Sequence, residues 1–201
     1  MVLPGWADQR LSEDLPRFRA TGEGQTLEFK EAIPTQAHDL AKDVAAFATS
    51  GEGTILIGVA DDGSLARLDA STAEDRDRLA LRVQGIVRTV RPMVTAKIAF
   101  ATEAGETVLC VEVPEQDEPV YYHEGRPIVR DGRLSRPAEP DEVKELVWKS
   151  PSSQFKRHEE ELRPKAHERQ LENRRQWDEL SVDSSRRHSE LMGEMRRRMI
   201  R

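Results

Sequence analysis

Glu28 and Lys30 stand two residues apart in the alternating run of residues 26–30, with Leu27 and Phe29 between and beside them. A two-residue period sends alternate side chains to opposite faces of a strand, so this carboxylate and this ammonium share one surface. Glu23 precedes them in the Gly22-Glu23-Gly24 segment, and Asp61 and Asp62 follow a second apolar run, residues 54–59. A rigid sheet positions the loops that follow its strands, so if the two strands are neighbours, three carboxylates and a lysine converge. That set meets the needs of a Mg²⁺- or Mn²⁺-dependent phosphodiesterase. Carboxylate oxygens hold the hard cation, the ion polarises a phosphoryl oxygen and activates water, and lysine offsets charge developing in the transition state. The same residues have a plainer reading, in which Glu28 and Lys30 form an exposed same-face ion pair and Asp61-Asp62-Gly63 simply turns the chain.

The elements that must position these groups follow from the pattern of apolar residues. Residues 26–30 and 54–59 read as strands, the second one buried. Between them, residues 35–49 place Leu40, Val44, Phe47 and Ala48 at helical spacing, with Ala41, Ala45 and Ala46 small enough for close packing. Gly51 and Gly53 end that helix. Ser71 and Glu74 resemble a capping box before a helix that stops at Pro92, and residues 94–101 and 106–113 read as two strands joined around Gly105. Shorter strands are expected over residues 119–122 and 126–130, with Asp131-Gly132 a turn, and a closing helix over residues 140–149 capped by Asp141. The order predicts an α+β fold, a mixed sheet of about five or six strands with helices packed against it. Leu11, Leu15 and Phe18 suggest a short helix in a leader, residues 1–19, ahead of the domain at residues 20–149.

Residues 150–201 differ in kind, being rich in Arg, Glu, Gln and His with a thin apolar stripe and Pro164 in its midst. A partner-dependent coiled coil and a solvated, partly disordered helix are the two readings of this charged tail, and oligomerisation through it would give a homodimer or a helical partner. Charge divides the chain in the same way. The first 149 residues hold 27 acids against 18 bases, whereas the tail holds 10 acids against 13 bases. An acidic domain argues against coating a duplex by bulk charge, because such affinity comes from neutralising phosphates. It permits a local basic groove or an acidic metal site.

Cys110 is the single cysteine, which excludes an internal disulfide and a cysteine-based zinc site. No window approaches the roughly 18 apolar residues of a membrane span, and the first ten residues do not resemble a signal peptide, so no membrane partner and a cytoplasmic location are expected. His38, His123, His158, His167 and His188 are scattered without ligand spacing, which reads as surface or packing roles rather than zinc.

Several motifs in order carry a resemblance. Gly22-Glu23-Gly24-Gln25-Thr26-Leu27-Glu28-Phe29-Lys30, then Ala46-Phe47-Ala48, then Gly53-Thr54-Ile55-Leu56-Ile57-Gly58-Val59-Ala60-Asp61-Asp62-Gly63 resemble the Schlafen-type AlbA-like domain family. Residues 108–114, Pro119-Val120-Tyr121-Tyr122, Val129-Arg130-Asp131-Gly132 and Ser135-Arg136-Pro137-Ala138 extend the likeness over roughly residues 20–149. The resemblance implies a nucleic-acid-binding domain, DNA or RNA, and in some members ATP binding. Animal relatives include endoribonucleases that cut transfer and ribosomal RNA with three acidic residues. By motif position those acids are Glu23, Glu28 and Asp62, implied to bind Mg²⁺ or Mn²⁺, with Lys30 contacting phosphate. Two departures stand out: Thr49 replaces the family's Asn after Ala-Phe-Ala, and Glu52-Gly53 replaces its Gly-Gly pair. These departures argue against a phosphate contact by that loop's backbone. A Walker-type loop is absent, which leaves ATP with no stronger support than Gly51 and Gly53 near a helix end. The animal nucleases embrace RNA between paired lobes, and this chain has one, so a homodimer would be needed for a comparable groove.

Further candidates for nucleic-acid contact are Arg126, Arg130, Arg133 and Arg136 on expected turns, with Tyr121 and Tyr122 nearby to stack on bases, and Lys42 on the first core helix. A non-catalytic reading follows in which these residues bind and the acids serve only structure.

Overall fold

The computed structural model describes residues 3–150, and the readings of the charged tail lie outside those residues. Eleven elements follow in order: α1 (Gln9–Thr21), β1 (Leu27–Lys30), α2 (Ala37–Ser50), β2 (Gly53–Ile57), α3 (Ala73–Val87), β3 (Lys97–Glu103), β4 (Glu106–Val113), β5 (Tyr122–His123), β6 (Arg126–Asp131), β7 (Leu134–Pro137) and α4 (Pro140–Lys149). The α+β class and the mixed sheet with packed helices are as expected. The strands, however, divide into a four-stranded sheet in the order β1-β2-β4-β3 and a three-stranded sheet in the order β5-β6-β7.

Strands β1 and β2 are parallel, which requires a crossover, and α2 supplies it. β4 pairs antiparallel with both β2 and β3. One face of this sheet presents Leu27, Phe29, Leu56, Val108 and Cys110 to Leu11 and Leu15 of α1. The other presents Ile55, Ile57, Leu109 and Val111 to α2 and α3 and to Tyr121 and Ile128. Covering the sheet on both faces explains why β1 is buried along three consecutive residues, instead of having the solvated polar face that its alternation suggests.

The leader residues thus belong to the packing of the sheet. Asp8 caps α1 by accepting from Leu11 N–H at 3.0 Å, and Leu11 and Leu15 are fully buried. Burial of each such leucine stabilises by about 1.5–3 kcal/mol.

Local signals shift by a residue or two from the sequence reading. The capping box of α3 uses Thr72 and Asp75 rather than Ser71 and Glu74, and α4 is capped by Glu139 with Glu142 rather than by Asp141. β3 starts at Lys97 and not at residue 94. β7, expected as part of a basic turn, is a strand paired with β6. The β5–β6 hairpin turns at Glu124 and Gly125, both with positive φ, as a two-residue hairpin loop requires. Among the described residues no helix is long and apolar enough to cross a membrane.

Candidate functional site

The register of β1 on β2 decides where its charges go. Glu28 lies opposite Ile55 and Lys30 opposite Ile57, so both point toward the face covered by α2. There they meet two groups from distant parts of the chain. α2 contributes Asp43, set between Leu40 and Phe47 on its buried stripe, and β6 contributes Arg130.

These four side chains form a buried network. Lys30 pairs with Glu28 Oε1, and its Nζ lies 3.0 Å from Asp43 Oδ2. Arg130 donates through Nη2 to Glu28 Oε2 at 2.6 Å, and its Nη1 lies 3.7 Å from Asp43 Oδ1. The Ser135 hydroxyl donates to Asp43 Oδ1 at 2.7 Å and accepts from Arg130 Nη1 at 3.0 Å. Arg130 also donates to the carbonyls of Gly24 and Gly132, and its guanidinium sits 4.9 Å from the centre of the Phe47 ring. Its side chain is 0% exposed, so the desolvation of a full charge is offset only because nearly every donor is used. Two cations face two acids, which leaves the network neutral. Burial opposes the charge on Lys30, but Asp43 and Glu28 outweigh it and hold the ammonium above its ordinary pKa.

Glu23 and the Asp61-Asp62 turn lie around a fifth charge. Glu23 pairs with Arg133 and accepts from Phe29 N–H at 3.1 Å. Burial pushes its carboxyl up, yet Arg133 and the Phe29 N–H outweigh that and hold it below its ordinary value. Arg133 also feels the charges of Asp61 and Glu28, so acids from β1, its leading segment and the β2 turn converge on one guanidinium. Asp62 is exposed and accepts from Ser64 N–H at 2.8 Å, which lowers its pKa and makes it a turn-forming residue as placed.

As arranged, these acids do not fit a divalent ion. Both Glu28 oxygens are engaged by cations, Glu23 is held by Arg133, and Asp62 closes its own turn. Among the described residues, the potential metal ligands that gather in a group of three within 4.8 Å are His38, His123 and Glu124 instead. This corrects the reading of His38 and His123 as scattered, while His158, His167 and His188 lie outside the described residues. His38 Nδ1 and His123 Nε2 are 3.0 Å apart, joined from positions 85 residues distant in the chain.

The candidate nucleic-acid contacts separate into two sets. Arg130 and Tyr121 are buried, the first in the ion-pair network and the second at 2% exposure, so neither presents itself to a ligand. Tyr122 and Lys42 are half-buried, and Arg126 and Arg133 are exposed. Arg136 bonds to Asp131 and to both oxygens of Glu142. His123 pairs with Arg126 across the hairpin while Tyr122 pairs with Pro127, which sends Tyr122 and Arg126 to opposite faces.

The altered loop after α2 has a packing role. Thr49, which stands where the family has Asn, accepts from Tyr121 N–H at 2.9 Å inside the domain. A Cβ on Gly53 would lie 2.3 Å from the Phe47 ring, so Gly53 admits the ring that in turn backs Arg130. Asp43, Ser135 and Gln25 were not singled out in the sequence. For Asp43 the signal was present, an acid on an otherwise apolar helical stripe. Gln25 bridges the β6–β7 turn by donating to Arg130 O and accepting from Gly132 N–H.

Fold and site together define a small α+β domain whose two sheets are joined by internal ion pairs. The family model described as Schlafen, AlbA_2 matches residues 23–139, more than half of the chain, and the chain belongs to that family. Among solved structures it is similar to the DIP2311 protein from Corynebacterium diphtheriae, at 22% identity and a TM-score of 0.49, covering 71% of this chain and 29% of that one. It is also similar to the N-terminal domain of a RecG-related protein from Nitrosomonas europaea, at 18% identity and a TM-score of 0.41, covering 64% of this chain and 91% of that one. No curated protein matches the chain.

Proposed function

We propose that this domain binds nucleic acid, with Lys42, Arg126 and Arg133 contacting phosphates. Arg126 carries the reading. It is exposed at the tip of the β5–β6 hairpin and has no ion pair among the described residues, in a sheet whose other arginines all have acidic partners. The Arg133 guanidinium is 62% exposed although it pairs with the nearly buried Glu23, so a phosphate can approach its open side without displacing that carboxylate. Membership of the Schlafen AlbA_2 family supports the same ligand class. Because the domain is acidic overall, attraction is local to these cations, and binding is strongly salt-dependent.

A second reading, metal-dependent RNA cleavage by Glu23, Glu28, Asp62 and Lys30, draws support from the charges of Glu23, Glu28 and Asp61, the neighbour of Asp62, acting together on Arg133. The neutralised Glu28 favours binding without cleavage. Labelled transfer RNA, single-stranded RNA and duplex DNA, incubated with and without Mn²⁺, separate the two. Glu23→Gln and Asp62→Asn are the variants of choice, because Glu28→Ala would also open the buried network. Retention on a gel with intact RNA in all three proteins supports binding alone. Mn²⁺-dependent cleavage lost in both variants establishes the nuclease, and neither retention nor cleavage would retire the nucleic-acid function.

A further inference from the structure

We propose that His38, His123 and Glu124 form a binding site for a divalent transition-metal ion, with Zn²⁺ the best match, clasping the start of α2 to the β5–β6 hairpin. The three ligand atoms come from two elements that the fold packs together. His38 Nδ1 lies 3.0 Å from His123 Nε2 and 3.4 Å from Glu124 Oε2, and His123 Nε2 lies 3.9 Å from Glu124 Oε1. Ligand atoms about 2.0–2.1 Å from a tetrahedral zinc ion are about 3.4 Å apart, and one ligand atom from each of the three residues lies within 4.8 Å of the other two, so modest side-chain rotation brings them to that spacing. Two imidazoles and one carboxylate also match zinc, copper, nickel or iron in softness better than they match Mg²⁺ or Ca²⁺.

A plain hydrogen bond between the imidazoles accounts for the pair less well. His123 is 6% exposed, and its Nδ1 is buried without a partner. Whichever tautomer bridges to His38, a buried ring nitrogen stays unsatisfied, a cost that a single neutral hydrogen bond barely offsets. A metal bond at Nε2 supplies a much larger return for the same burial. The side chains of His38 and Glu124 are 46% and 68% exposed, so the ion enters from solvent and keeps at least one coordination position open to it. Arg126, opposite His123 in the hairpin, and Lys42, one turn along α2 from His38, are basic neighbours of the site. The site is separate from the Glu23, Glu28 and Asp62 cluster, and it does not depend on nucleic-acid binding.

The test is a titration of the full-length, metal-free protein with Co²⁺, read by visible d–d absorption, followed by competition with Zn²⁺. One equivalent should produce the intense bands of a four-coordinate ion with nitrogen ligands, displaced by Zn²⁺. His38→Gln and Glu124→Gln, both at exposed positions that leave the core untouched, should each weaken binding at least tenfold. A variant with His158, His167 and His188 all replaced by Gln should bind within twofold of the parent. Absence of a saturable spectrum below millimolar Co²⁺, equal affinity in His38→Gln, or loss of binding in the triple variant would each overturn the proposal.

Discussion

Arg130 on β6 donates to Glu28 on β1 at 2.6 Å, and this bond ties the three-stranded sheet to the four-stranded one. Asp43 and Lys30 complete the tie from α2 and β1. Glu28, the central acid of the Glu-Phe-Lys motif, is thereby a structural partner of the strand that carries Arg126.

Breaking this pair from one side leaves a charge buried without its counterion. Arg130→Met and Glu28→Gln should each destabilise the domain by about 3–5 kcal/mol, measured as the urea-unfolding free energy. The double variant should recover part of that loss. Single variants within 1 kcal/mol of the parent would mean that the network carries little weight.

Gly24, whose carbonyl accepts from Arg130, and Gly53, which packs on the Phe47 ring behind Arg130, should respond differently to alanine. A Cβ at Gly53 meets the Phe47 ring at 2.3 Å, whereas one at Gly24 meets nothing within 4 Å. Gly53→Ala should cost about 1–3 kcal/mol through overpacking, and Gly24→Ala should stay within about 0.5 kcal/mol. Equal thermal midpoints would contradict this packing.

Acid should weaken the fold through specific carboxylates. Arg133 and the Phe29 N–H hold Glu23 below its usual 4.5 despite the opposing effect of burial, and Arg136 with the Glu139 N–H lowers Glu142 to about 2. A depressed folded pKa means that the unfolded chain takes up protons first. The stability from these groups is therefore complete above 4.5 and is lost as pH falls toward 2. Glu23→Gln should be less stable than the parent at pH 7, with a shallower decline below 4.5. An unchanged acid limb would exclude Glu23 from the linkage.

Cys110 is fully buried, and burial pushes its thiol up to about 12. A thiol reagent at pH 8 should leave the native protein unmodified and react fully only after urea unfolding. Rapid modification of the native state would show that this face of the sheet opens.

The sharing of one face by Glu28 and Lys30 was legible in the sequence because alternation along a strand needs only local information. The helical stripe of α2 was legible for the same reason, although Asp43 on it went unremarked as a buried charge. Its partner Arg130 could not be read locally. Glu28 and Arg130 are separated by 102 residues and meet only through the packing of two sheets. The burial of Arg130 and Tyr121 follows from that same long-range arrangement, as does the meeting of His38 with His123. The division of the strands into two sheets escaped the sequence because residues 134–137 read as a basic turn and carry little apolar patterning.

Phosphate contact by Arg126 is most directly tested by the salt dependence of binding to a labelled single-stranded RNA, measured by fluorescence anisotropy for the parent, Arg126→Ala and Arg133→Ala. The parent should bind with a linear fall of log K against log salt concentration, and Arg126→Ala should lower that slope by about 0.7, the value for one phosphate contact on a single strand. An Arg126→Ala protein with the parent's affinity and slope, or a parent that fails to bind at low salt, would contradict the account.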